Sequence, residues 1–183
     1  MFVFKTYNID RAVLREYNLS AFGQEKENGM NILYAKTVLY LYAGTEKLVR
    51  QIDELVERKA LASANDFSPA VNQCAAIAEL TRCKAALLYL KEVCERILPR
   101  FSERELIYLD YKYFKKRDRS EYAGMDFCSR TYFRRQIRLA EKFAEALSND
   151  GIDDKVFCEE YLSCRFIKRL YGRVREKEKE ARK

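Results

Sequence analysis

Apolar and small residues recur at helical spacing over most of this chain. Tyr34, Val38, Leu41, Thr45, Leu48, Ile52 and Leu55 follow alternating steps of four and three, which predicts one long helix from about Met30 to Leu61. Ala76, Leu80, Cys83, Leu87, Leu90, Cys94 and Ile97 repeat the pattern in a second helix. Ser68-Pro69 opens it, serine as N-cap and proline in the first turn, and Pro99 closes it. Ser63 to Phe67 is a short polar turn, so residues 30–98 are expected to fold back as an antiparallel helical hairpin. Both seams are narrow. Val49, Val56, Ala85, Leu88 and Tyr89 lie beside them, so the hairpin reads either as a self-contained core or as an arm that pairs with a partner.

The pattern changes after Pro99. Ser102-Glu103-Arg104-Glu105 is a capping box, and the helix it opens carries Leu106, Ile107, Leu109, Tyr113 and Phe114. A basic run and a short segment, Ser120 to Met125, lead to a second helix that begins near Arg130. There Arg130, Arg134 and Arg138 fall within an arc of about 80° at helical spacing. Phe133, Ile137, Ala140, Ala144 and Leu147 are expected on the opposite side, with Tyr132 also in the core or half-buried. A short helix, a tight turn and a longer basic helix form the layout of a helix-turn-helix. After Asn149-Asp150-Gly151, a last helix is expected from Asp153 or Asp154. Its stripe is Phe157, Tyr161, Cys164, Phe166, Ile167, Leu170, Tyr171 and Val174, and its other face holds Arg165, Lys168, Arg169, Arg173 and Arg175. It reads as a lid on the hairpin, or else as a second contact to a polyanion.

The chain is therefore expected to be all-α, in four parts. Residues 1–29 form an N-terminal arm, 30–98 the long antiparallel hairpin, 99–149 the helix-turn-helix domain and 150–183 the C-terminal basic helix. Phe2, Val3, Phe4 and Tyr7 read as a short strand or an apolar arm, Asp10 as a candidate cap for a short helix through Tyr17, and Gly23 to Gly29 as a polar linker. Only 6 Gly and 2 Pro in 183 residues leave few places to turn, which favours long helices over many strands.

Charge sharpens this division. Of the net +7, residues 100–183 supply nearly all, with 22 Lys+Arg against 16 Asp+Glu. One end is thus suited to a polyanion and the other to a different task. The sequence lacks histidine, and its six cysteines (Cys74, Cys83, Cys94, Cys128, Cys158, Cys164) include no pair at structural-zinc spacing. No Gly-rich phosphate loop, nucleophile elbow or paired-carboxylate signature is present. No catalytic residue, metal or cofactor is expected. Reduced cysteines without a secretory signal point to the cytoplasm, and no apolar run is long enough to span a membrane.

FSERELIYLDYKYF (101–114) and EYAGMDFCSRTYFRRQIRLAEKFAEAL (121–147) resemble the region-four helix-turn-helix of sigma factors. The likeness is to sigma-like phage and prophage transcriptional regulators of Gram-positive bacteria, ArpU-like proteins among them. CSRTYFRR (128–135) resembles the phrase that opens their recognition helix. Asp126 stands where those proteins usually have glycine in the turn, and Cys128 where they have the N-cap serine.

That resemblance implies a role for each residue. Arg130, Thr131, Arg134 and Arg135 lie in the turns that enter the DNA groove, with Arg130 and Arg134 as candidates for bidentate contact to guanine. Arg138 and Lys142, further along, would reach only phosphate. Ser129 and Thr131 bond phosphate oxygens or cap the helix. Lys115, Lys116, Arg117 and Arg119 clamp the backbone or serve as a solubilising loop. The expected function is sequence-specific binding of double-stranded DNA in transcription regulation, prophage-associated, as a homodimer, with RNA polymerase as a candidate second partner. Two alternatives stand beside it: a DNA-packaging module of the small-terminase type, and a protein-interaction module that binds no DNA.

Overall fold

The computed structural model describes residues 32–62, 70–115, 122 and 130–180, with the backbone alone for Ala62, Ala70 and Arg130. Among these residues every regular element is a helix. The expectations for residues 1–29, for the turn at 63–69 and for the segment from Ser120 to Ser129 fall outside them, Tyr122 excepted.

Helix α1 (Leu33–Ala62) and helix α2 (Ala70–Ile97) pack against each other. Lys84 pairs with Asp53 at 2.6 Å and Lys91 with Glu46 at 3.1 Å. Position rises in one helix as it falls in the other, so the two lie antiparallel. Most of the expected seam lies inside: Tyr34, Val38, Leu41, Thr45 and Ile52 of α1, and Cys83, Leu87, Leu90, Cys94 and Ile97 of α2, are buried, whereas Leu48, Leu55, Ala76 and Leu80 are half-buried. Burial stops partway along. Beyond Ile52 in α1 and before Cys83 in α2, no described residue is buried, and Leu61 and Val71 are 68% and 77% exposed.

The other end of α1 is enclosed on all sides. Every residue from Tyr34 to Leu39 is buried, Lys36 and Thr37 included. Thr37 satisfies its hydroxyl on the Leu33 carbonyl at 2.8 Å, and the Lys36 ammonium meets Glu178 at 2.7 Å. A buried lysine needs such a partner, because its charge loses hydration.

A short 3₁₀ turn, Leu98–Arg100, leads into α3 (Glu103–Leu109). The capping box forms as the sequence implies: the Ser102 side chain accepts from the Glu105 amide, and the Glu105 carboxylate accepts from the Ser102 amide at 2.8 Å. The helix then widens into a π turn, Asp110–Phe114, and ends at Lys115, whose φ is 50°. Tyr113 and Phe114 in this turn meet Tyr40 and Tyr42 of α1 edge-on, at 4.8 and 5.2 Å between ring centres.

Helix α4 (Arg130–Asn149) packs on α1, α2 and α3. Gly151, with φ +87°, ends it. The Ile152 amide returns to the Leu147 carbonyl at 2.9 Å and the Gly151 amide to Ser148 at 3.0 Å, and Leu147 and Ile152 are buried together. Asp153 then caps α5 (Asp154–Val156), which passes into a π turn, Phe157–Tyr161. The single last helix expected from the sequence is broken at Leu162–Cys164, and α6 (Arg165–Glu180) follows as a separate piece. Ile167, Tyr171 and Val174 of α6 are buried, and the helix lies along α1.

Candidate nucleic-acid interface

The face of α4 that points inward determines which side chains remain outside. Tyr132, Gln136, Leu139, Ala140, Phe143, Ala144 and Leu147 are buried. Two hydrogen bonds fix this rotation. Gln136 donates from Nε2 to the Tyr108 carbonyl of α3 at 2.9 Å, and Tyr34 of α1 donates to the Ala144 carbonyl at 3.0 Å. Burial, and then the carboxylates of Asp154 and Asp153, push the Tyr34 hydroxyl up to about 12, so it stays a donor at any ordinary pH.

This rotation corrects the expected apolar face. Ala140, Ala144 and Leu147 are inside, but Phe133 and Ile137 are not: they are 59% and 49% exposed. At helical spacing they stand about 100° and 60° round the axis from Arg134, on the flank of the arginine arc and not opposite it. The side opposite Arg134 belongs to Tyr132, Gln136 and Phe143. Tyr132 is in the core, as expected, its ring 6.1 Å from Tyr108 and 5.9 Å from Tyr111.

The basic residues divide into those matched within the protein and those turned outward. Lys142 meets both carboxylate oxygens of Glu105, at 2.8 and 2.9 Å, and lies 4.6 Å over the Phe101 ring. Burial raises the Glu105 carboxyl, but the bonds from Lys142 and Ser102 outweigh it and hold the group below its ordinary range. Arg135 donates to the Tyr108 hydroxyl, with its guanidinium 5.3 Å from that ring. Arg134 and Arg138 are exposed, and neither forms an ion pair among the described residues. Thr131 is exposed beside them, and Lys115 is exposed at the end of the π turn. The side chain of Arg130, and Ser129, Lys116, Arg117 and Arg119, lie outside the described residues.

One tie across this region had no signal in the sequence. The buried carboxylate of Asp110 accepts a hydrogen bond from the Tyr122 hydroxyl, and Tyr122 packs edge-on against Tyr111 at 5.2 Å. Tyr122 is thereby fastened to the end of α3.

Among the described residues, no group of three or more His, Cys, Asp or Glu is placed to hold a metal ion, and no helix is long and apolar enough to cross a membrane. Burial pushes Cys83 and Cys94 up to about 12, Cys83 also through its contact with Cys164. These thiols are packing groups. No protein-family model, curated protein or solved structure matches this chain.

Proposed function

We propose that this chain binds duplex DNA in a sequence-specific way through the first turns of α4, as a regulator of transcription. The observation that carries the reading is the pair Arg134 and Arg138: exposed, one turn apart, and without an ion pair among the described residues. They stand on a helix whose opposite face is buried against α1 and α3. An unpaired guanidinium on a rigid helix suits bidentate recognition of guanine or phosphate, since no internal partner must be broken first. Glu141 and Glu145 share this side of α4 further along. About 10 Å separates Glu141 from Arg134 along the axis, so DNA is met by the N-terminal half alone. The likeness to sigma-like regulators points the same way, and a prophage setting and contact with RNA polymerase belong to that likeness.

A homodimer completes the proposal. The outer end of α1 and α2 carries Leu61 and Val71 exposed, with Leu88 and Tyr89 each 44% exposed along α2. Pairing two such ends would give a two-fold dimer, the arrangement in which helix-turn-helix proteins meet two half-sites.

The test is fluorescence anisotropy of the purified protein with a random-sequence duplex, at about 50 and 200 mM salt. Six or more phosphate contacts should lower affinity by a factor on the order of 10³ across that range. Absence of binding at the lower salt would remove the DNA reading.

A further inference from the structure

Phe133 and Ile137 are large apolar side chains, one turn apart, left facing solvent on a helix that buries seven other positions. On a surface with no partner, such a pair exposes hydrocarbon to water without benefit. The Phe133 ring is not loose. It sits 5.4 Å from Tyr132 in an edge-on contact, and Tyr132 is itself held by Tyr111 and Tyr108.

The charge beside this strip says what covers it. Arg134 and Arg138 are its neighbours round the helix, and neither is paired within the described chain. A protein partner meeting the strip would have to neutralise two guanidiniums at its edge. The DNA major groove does so already and, next to its acceptors, presents one apolar group, the C5-methyl of thymine. We infer that Phe133 and Ile137 are specificity residues that read thymine methyl groups, while Arg134 reads an acceptor base on the adjoining step. The inference rests on the DNA-binding reading and adds to it the composition of the site.

Two geometric facts support the division of labour. Phe133 and Arg134 are consecutive but point about 100° apart, so they reach different base pairs when the helix lies in the groove. Ile137 is one turn beyond Phe133, about 6 Å along the axis, so the strip spans up to two steps of the duplex.

The test is a selection from a randomised duplex library with the wild-type protein, followed by anisotropy on the selected site with each thymine in turn replaced by deoxyuridine. That replacement removes one methyl and leaves every hydrogen bond in place. Burying one methyl corresponds to roughly a fourfold gain in affinity, so at one or two thymines the change should weaken wild-type binding by about that factor. Phe133→Ala with Ile137→Ala should bind the thymine and deoxyuridine sites equally while remaining folded, with a modest drop in melting temperature because about half of each side chain is buried and Phe133 packs on Tyr132.

Equal wild-type affinity for every thymine and deoxyuridine pair would overturn the inference and leave DNA binding standing. So would a double variant that keeps its thymine preference but sediments at a lower mass, since the strip would then be a contact between copies. A wild-type protein that enriches no sequence at low salt overturns both the inference and the DNA-binding reading beneath it.

Discussion

Helices α4 and α6 are alike in sequence character and differ in what they leave uncovered. Each is strongly amphipathic, with an apolar side laid on the α1 region and arginines on the other. The stripe of α6 is covered: Ile167, Tyr171 and Val174 are buried and no large hydrophobic of this helix is prominently exposed. Acids interrupt its C-terminal half at Glu176, Glu178 and Glu180, and Glu178 is tied back to Lys36 of α1. Helix α4 keeps Phe133 and Ile137 outside, beside two arginines that form no ion pair among the described residues. Counting basic residues would rank the helices together. What distinguishes α4 is the exposed apolar pair beside its arginines, since Arg169 and Arg173 of α6 are also exposed and form no ion pair among the described residues.

The largest effects should come from the sides the two helices have in common. Phe143 of α4 and Ile167 of α6 are both fully buried. Phe143→Ala should cost about 3–5 kcal/mol and Ile167→Ala about 2–5 kcal/mol of unfolding free energy, measured by denaturant titration. Loss in only one of the two would mean that the other helix is not part of the folded core.

The outer faces should behave in opposite ways. Arg134→Ala with Arg138→Ala should lower DNA affinity by on the order of 10²-fold at low salt, since a good bidentate base contact is worth about 1–3 kcal/mol and loss of a phosphate contact adds to it. Arg169→Ala with Arg173→Ala on α6 should change it by less than about threefold, through long-range charge alone. Neither pair should shift the melting temperature by much, as all four side chains are exposed. Equal losses from the two pairs would place α6 in the interface and dissolve the contrast.

The smallest effect concerns the charge that α4 keeps for its own packing. The Glu105 carboxyl lies below its ordinary value of 4.5 in the folded protein. Its ion pair with Lys142 therefore contributes stability that is complete above about pH 4.5 and fades as pH falls through the lower folded value. Glu105→Gln should flatten that part of an acid-unfolding curve. With 29% and 46% of the two side chains exposed, the change should be small and should shrink further in high salt.

Local signals in the sequence carried well into the structure. The capping box at Ser102 and Glu105, the glycine stop at Gly151 and the seams of α1 and α2 are each set by residues within a few turns of one another. Tertiary ties were the illegible part. Glu105 captures Lys142 from 37 residues away, and nothing near either position announces it. The ties that fix the rotation of α4, Gln136 on Tyr108 and Tyr34 on Ala144, also join residues far apart in sequence. The flank position of Phe133 and Ile137, about 100° and 60° from Arg134, follows instead from helical spacing alone. The break at Leu162–Cys164 and the π turn at Asp110–Phe114 contain neither glycine nor proline. The π turn packs on α1, a contact between segments far apart in sequence that the local pattern does not contain.

Amide chemical-shift mapping by NMR during titration with a short random-sequence duplex at low salt puts the contrast between α4 and α6 to the most direct test. Shifts concentrated between Thr131 and Arg138, with those of Arg165 to Lys179 near their starting positions, are the expected result. Shifts centred on α6, or spread evenly over both helices, would contradict the account.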